Sequence, residues 1–238
     1  MKKTLTRTLY SRLERDKALF DFVNKLMIDS EVYLFGGAVR DYIENNLVSF
    51  RDLDFVIKSK SCRNINIEDY IPAQTKFVKN RYNGYKIYFS NVIVDIWNIE
   101  NTWAFENHKL SMSVENLLKS VYLNIDSLVY LLNEDRYINN CDKLYKNIIF
   151  HKQLDVVCKE TPFELLNLLR AIIYKNKYSL RLSENLRQQF YKYITTNEAG
   201  MIEEFMRIQK EHYKKSIISK SEILNEINYI KNSEFSCL

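Results

Sequence analysis

The stretch YLFGGAVRDYIENNLVSFRDLDFVI, residues 33–57, constrains this chain more than any other part of it. The chain has only four glycines, and two of them, Gly36 and Gly37, stand side by side at the end of the apolar run EVYLF, residues 31–35. A short β-branched and aromatic run that ends in Gly-Gly reads as a buried strand entering a tight turn, and the residues from Ala38 to Asn45 then read as a helix. Beyond the VSF connection, DLDFVIK alternates, so Asp52, Asp54 and Val56 face one side while Leu53, Phe55 and Ile57 face the other. The expected unit is strand, turn, helix, strand, with two carboxylates on one face of the second strand.

Each part of this unit has a bland reading and a chemical one. Adjacent glycines let backbone N–H groups approach an anion, and a helix N-terminus adds a favourable partial charge, so phosphate is a natural guest. Arg40, one turn into the helix, would add a charge-assisted contact. Taken alone, Gly-Gly is explained by a tight turn. Asp52 and Asp54 lie too close to coexist without a cation. Hard oxygen ligands suit Mg²⁺, which takes one or two carboxylates together with substrate phosphates; Arg51 is the bland alternative, a surface ion-pair partner. Residues 85–89, YKIYF, and 92–97, VIVDIW, joined by Ser90-Asn91, read as a hairpin whose second arm carries Asp95 inside an otherwise apolar run. A third carboxylate there would let two metal ions sit about 3.5–4 Å apart, the arrangement that activates a hydroxyl and holds a triphosphate. A surface ion pair explains neither the position of Asp95 nor the unit that precedes the two acids.

Composition narrows the setting. A chain of 238 residues with 46% hydrophobic residues can bury the core of one large domain or two modest ones. Its formal charge of +5 tolerates a polyanionic partner and equally suits a solvated surface. Cys62, Cys141, Cys158 and Cys237 are widely spaced and form no Cys-x-x-Cys pair, and His108, His151 and His212 are scattered, which argues against a zinc site and for reduced thiols in a cytosolic, hence cytoplasmic, protein. Charges at Arg7, Arg12, Glu14, Arg15 and Asp16 interrupt any leader-like apolar stretch. No run of about 18 apolar residues offers a membrane span, and Cys237 is too near the end for a prenylation box.

The remaining periodicity divides the chain. Leu13, Leu19, Phe20, Val23, Leu26 and Met27 predict a leading helix over 10–27. From about residue 115 the pattern turns helical, with helices expected around 115–133, 161–175, 183–195, 198–214 and 220–231. Two starts are marked by capping boxes, Thr161-Pro162-Phe163-Glu164 with Pro at the first helical position, and Ser219-Lys220-Ser221-Glu222. The boundary between the mixed and helical halves falls near 135–150, which gives domains of 1–140 and 141–238.

Gly36-Gly37-Ala38-Val39-Arg40-Asp41, followed by a helix and then Asp52-Leu53-Asp54, resembles the head signature of the class II nucleotidyltransferases. This family includes CCA-adding enzymes and bacterial poly(A) polymerases, within the polymerase-β-like superfamily. IDSLVYLLNEDRYINNCDKLYKNIIF, residues 125–150, and PFELLNLLRAIIYKNKYSLRLS from Pro162 are similar to the segments that follow in that family, so the likeness spans roughly residues 30–185. The family's Arg-Arg-Asp has no counterpart, its place being taken by Lys119-Ser120-Val121-Tyr122. The two residues that read the incoming base in CCA-adding enzymes fall on Glu164 and Asn167, and Arg170 keeps the next arginine. Glu164 also fits the third helical position of a capping box. Asn167, Arg170 and Tyr174 share one helix face that could line a nucleotide cleft or meet water.

The resemblance implies an α+β fold, a polymerase-β-like head with a small mixed sheet followed by an all-helical neck. It implies Mg²⁺ as cofactor on Asp52, Asp54 and Asp95, with these acids catalytic, and Gly36, Gly37, Arg40, Asn167 and Arg170 at the nucleotide. The expected reaction moves a nucleoside monophosphate from an NTP to an RNA 3′ end, tRNA-like, with release of pyrophosphate. Little chain remains for the domains that grip tRNA in full-length members, which leaves Arg207–Lys220, with Lys210, His212, Tyr213, Lys214 and Lys215, as the local candidate for RNA phosphates or simply a solvated helix face. Transfer to a protein or small molecule, and an inactive nucleotide- or RNA-binding module, stay open beside it.

Overall fold

The structure is a computed structural model and describes residues 5–45, 52–61, 64–197 and 200–234. The VSF connection, Arg51, Cys62 and Cys237 lie outside the described residues. The chain divides into two compact units, one of Met1–Val121 with Asp126–Tyr145 and one of Tyr122–Ile125 with Lys146–Leu238.

The first unit opens with α1 (Leu5–Leu13) and α2 (Lys17–Asp29). The single leading helix expected over 10–27 is broken because Asp16 leaves helical geometry at φ −122° and its side chain accepts a hydrogen bond from Leu19 N at 3.2 Å, capping a fresh start. Strand β1 (Ser30–Phe35) runs into Gly36, whose φ of +65° makes the turn, and α3 (Gly37–Asn45) follows. Then come β2 (Asp52–Ser59), β3 (Lys76–Lys79), β4 (Tyr85–Tyr88) and β5 (Ile93–Asn98). The hairpin expected over 85–97 is there as β4 and β5, closed by Phe89 N donating to Val92 O at 2.9 Å. Helices α4 (Trp103–Glu106) and α5 (Val114–Leu117) and strands β6 (Val129–Leu131) and β7 (Arg136–Tyr137) complete this unit up to the start of α6 (Cys141–His151).

The helix expected over 115–133 is a correction. It shrinks to the four residues of α5, a 3₁₀ turn at Asn124–Asp126 and the strand β6. Val129, Tyr130 and Leu131 are all buried and pair antiparallel with Phe35, Leu34 and Tyr33 of β1. A short apolar run carries no periodicity that separates strand from helix, and pairing with a buried strand decides it.

Seven strands form one mixed sheet in the order β3-β4-β5-β2-β1-β6-β7, in which β2 and β5 run parallel and the other neighbours antiparallel. One face carries Leu53, Phe55, Ile57, Val94, Ile96 and Ile87, all fully buried. Each such side chain is worth about 1.5–3 kcal/mol on leaving water. This buried face fixes the register, and register fixes which residues stand on the other face.

The second unit is helical around one two-stranded parallel ladder, β8 (Gln153–Leu154) and β9 (Arg181–Leu182), with α7 (Glu164–Tyr178) between them and α8 (Glu184–Thr196), α9 (Met201–Tyr213) and α10 (Lys220–Glu234) after them. Tyr122–Ile125 join it through Val157 N to Tyr122 O at 2.7 Å and Asn124 N to Asp155 O at 3.0 Å. The capping box at Ser219 forms: Glu222 N donates to Ser219 Oγ at 3.2 Å, and Ser219 N donates to Glu222 Oε2 at 2.8 Å. The box at Thr161 does not form. Helix α7 begins only at Glu164, with Phe163 at its cap, and Thr161 Oγ1 accepts from Asn167 Nδ2 at 2.8 Å. A side chain from one turn inside the helix has taken the hydroxyl that would have capped it. The architecture is the α+β type expected, a mixed sheet followed by helices.

Candidate active site

Parallel pairing of β2 with β5 sets Asp54 directly beside Asp95, and antiparallel pairing of β5 with β4 sets Asp95 beside Lys86. Phe35 of β1 lies on the other flank of Asp54. The result is a row across four strands, Phe35, Asp54, Asp95, Lys86, whose side chains share one face because directly paired residues do. Asp52, two residues before Asp54, is on that face and pairs with Ile93, which in turn pairs with Tyr88. Phe35 meets Trp97 edge to face at 6.3 Å, and Trp97 Nε1 donates to Thr102 Oγ1 at 3.1 Å, so an aromatic edge bounds the acids. All three carboxylates are half-buried. The alternation of DLDFVIK predicts that Asp52 and Asp54 share a face, and the pairing of β2 with β5 adds Asp95 to that face.

Lys86 went unread. Its ammonium donates to Asp95 Oδ2 at 2.7 Å. Burial works to lower its pKa, but the hydrogen bond to Asp95 and the charges of Asp95 and Asp52 outweigh it, so the pKa stands above the usual lysine value. The signal was available in YKIYF: once its hairpin partner is fixed, the residue opposite Asp95 follows from the register.

The Gly-Gly turn divides its roles. The N–H of Gly36 donates to Leu128 O at 2.9 Å and its carbonyl accepts from Arg40 N at 3.1 Å, so Gly36 supplies the turn. The N–H groups of Gly37, Ala38 and Val39 open α3 and have no partner within the helix. Arg40 is buried at 8% exposure and its guanidinium is paired with Asp126, from the 3₁₀ turn at Asn124–Asp126. Arg40 Nη2 also lies 3.5 Å from where a side chain on Gly37 would begin. Asp126 is the second residue that sequence reasoning missed, since nothing local ties it to a position 86 residues earlier.

Asn167 and Arg170 are on α7 in the second unit. Asn167 is buried and held by Thr161, whereas Arg170 lies near His212 of α9, Nη2 to Nε2 at 3.4 Å. Glu164 is exposed at the start of α7. In the candidate RNA segment Arg207 pairs with Glu211 and Lys220 with Glu203, each at 2.7 Å, while Lys210, Lys214 and Lys215 are exposed.

Among the described residues no three His, Cys, Asp or Glu side chains gather closely enough to hold a metal ion. The chemistry of the donor set still fits a hard divalent cation: three half-buried carboxylates on one face, Asp54 and Asp95 in direct register, with a lysine already supplying positive charge to Asp95. No described helix is long and apolar enough to cross a membrane.

The sequence matches no family model and no curated protein. Solved structures do resemble it. A CCA-adding enzyme in complex with CTP superimposes with a TM-score of 0.62 at 16% identity, covering 96% of this chain and 55% of that one. The Thermotoga maritima CCA-adding enzyme bound to tRNA gives 0.62 at 16% identity, with 96% and 54% coverage. A tRNA nucleotidyltransferase bound to a primer tRNA and an incoming ATP analogue gives 0.59 at 15% identity, with 89% and 60% coverage. The chain thus spans little more than half the length of these proteins. At such identities the likeness is one of fold, and the fold of this chain is that of the class II nucleotidyltransferases.

Proposed function

We propose that the chain is a nucleotidyltransferase that moves a nucleoside monophosphate from a nucleoside triphosphate to an RNA 3′ end, tRNA-like in form. The observation that carries this reading is the carboxylate face, Asp54 beside Asp95 with Asp52 two residues away, next to a Gly-Gly turn that opens a helix. Solved proteins of the same fold include complexes with CTP and with tRNA, which supports the choice of substrates.

In this reaction the acceptor 3′ oxygen forms a bond to the α-phosphorus, the bond from that phosphorus to the bridging oxygen breaks, and pyrophosphate departs with the electron pair. Asp95 takes the proton of the acceptor hydroxyl and passes it to water. Asp52, Asp54 and Asp95 would hold Mg²⁺, which when bound supplies positive charge to the triphosphate and lowers the pKa of a coordinated hydroxyl. Lys86 balances the charge of Asp95 until substrate arrives. Gly37 and the opening N–H groups of α3 offer donors to a phosphate, and Arg40 keeps the potential there positive from its seat on Asp126. Asn167 and Arg170 are assigned to the nucleotide. The buried, reduced thiol of Cys141 suits a cytoplasmic setting.

The test incubates the purified protein with Mg²⁺, total cellular RNA and each α-labelled NTP in turn, beside the Asp52→Asn/Asp54→Asn protein. Label entering small RNA and absent with the double variant is the expected result. No label from any nucleotide would overturn the RNA acceptor, and label appearing instead on a protein or small molecule would reassign it.

A further inference from the structure

The second unit contains a cavity of about 690 Å³ that the catalytic reading leaves unused. That is within the range of small-molecule sites. One wall is α10, with Glu226 and Tyr229, together with Lys175 from the last turn of α7; the other is β9 and the start of α8, with Arg181 and Arg187. Gln153 stands beside Arg181 because β8 and β9 pair in register. All of these residues belong to one compact unit.

Charges in the cavity are arranged with one left over. Lys175 is paired with Glu226, and Arg187 with Glu184, whereas no carboxylate among the described residues pairs with the exposed guanidinium of Arg181. Two buried polar atoms then remain. Glu226 is only 7% exposed, and while one of its oxygens takes Lys175, Oε1 has no hydrogen-bond partner. Arg187 Nε is likewise buried and without a partner. Buried polar atoms normally find one. A bare anion would satisfy Arg181 and Arg187 but would be repelled by Glu226. A ligand that answers all three carries an anionic group at one end and a hydroxyl or amino donor at the other. Tyr229, 57% exposed on the same wall, adds a ring on which a flat group can lie.

We propose that this cavity binds a ribonucleotide, its phosphate on Arg181 and Arg187, a sugar hydroxyl or base amino group on Glu226 Oε1, and its base against Tyr229. The chemistry is shared by a free nucleoside monophosphate and by an unstacked nucleotide of an RNA strand. The cavity belongs to the second unit and the carboxylate face to the first, and binding in the cavity does not depend on the transfer reaction.

Isothermal titration of the full chain in EDTA, with AMP, CMP, inorganic phosphate and a 5′-phosphorylated triribonucleotide, tests it. AMP or CMP is expected to bind once per chain and at least about tenfold more tightly than phosphate. Arg181→Glu, at an exposed position, should weaken that binding at least about tenfold with an unchanged circular dichroism spectrum, and Tyr229→Ala should erase the preference for nucleotide over phosphate. The Asp52→Asn/Asp54→Asn protein should bind as the wild type does, which separates this cavity from the carboxylate face. Tighter binding of the trinucleotide than of AMP identifies an RNA strand as the source, and equal or weaker binding a free nucleotide. No binding, phosphate bound as tightly as AMP, or indifference to Arg181→Glu overturns the proposal.

Discussion

Replacing Lys86 by methionine keeps the aliphatic stem and removes the charge that faces Asp95. At 2.7 Å the pair is close, but the two side chains are 42% and 28% exposed. Two unit charges in contact are worth about 1 kcal/mol in water and about 4 kcal/mol at the effective dielectric of a protein surface. Exposure of this degree and the screening by salt place the pair at the low end, about 1 kcal/mol. A divalent cation that uses Asp95 must first displace that ammonium, so its removal should raise metal affinity by about fivefold. The assay is a Mn²⁺ or Mg²⁺ titration of nucleotide-free protein by calorimetry, with Lys86→Arg as the charge-retaining control. Lys86→Met should bind the metal more tightly, Lys86→Arg should match the wild type, and unfolding stability should fall by no more than about 1 kcal/mol. Unchanged or weaker metal binding in Lys86→Met would refute the idea that lysine and metal share Asp95.

Three further expectations rest on named contacts. Asp126→Ala deprives a nearly buried guanidinium, Arg40, of its ion-pair partner and should cost about 3 kcal/mol in urea unfolding; a loss below about 1 kcal/mol would mean that the pair does not tie α3 to the turn at Asp126. Gln209, fully buried on α9, accepts from Ile217 N at 2.8 Å and Ile218 N at 3.2 Å and donates to Ile218 O at 3.1 Å. Gln209→Leu should therefore destabilise the protein by about 2–3 kcal/mol, seen as a lower thermal midpoint, and an unshifted midpoint would show that water serves that turn as well. The Cys141 thiol is buried and pushed up to about 11, chiefly by desolvation, so iodoacetamide at pH 8 should leave Cys141 intact in the native protein and label it once denaturant is added; labelling at equal rates in both states would refute its burial.

The carboxylate face was legible because alternation and hairpin signals are local: DLDFVIK fixes its own two faces, and VIVDIW shows a charge where apolar residues belong. Lys86 and Asp126 were not legible, because each is defined by a partner brought near by pairing of distant segments. Helix α7 shows the opposite failure. Its start carried a strong local signal, and a single competing bond from Asn167 to Thr161 cancelled it. The run from 115 to 133 failed for a third reason, since three apolar residues in a row are compatible with either state until β1 claims them. Sequence likeness reached the fold through the glycines and acids, while the cavity of the second unit, lined from four separate segments, has no sequence motif at all.

The parallel junction of β2 with β5 has a consequence for the order in which the protein comes to life. A parallel neighbour cannot be reached by a tight turn. The chain must travel through residues 60–92, building β3 and β4 on the way, before β5 can close against β2. Such distant closures are slow relative to hairpins and helices, because loop entropy is lost before any contact is gained. A nascent chain therefore holds Asp52 and Asp54 before Asp95 reaches them, and the third acid joins their face only when β5 pairs with β2. The proposed chemistry therefore waits on that one parallel junction.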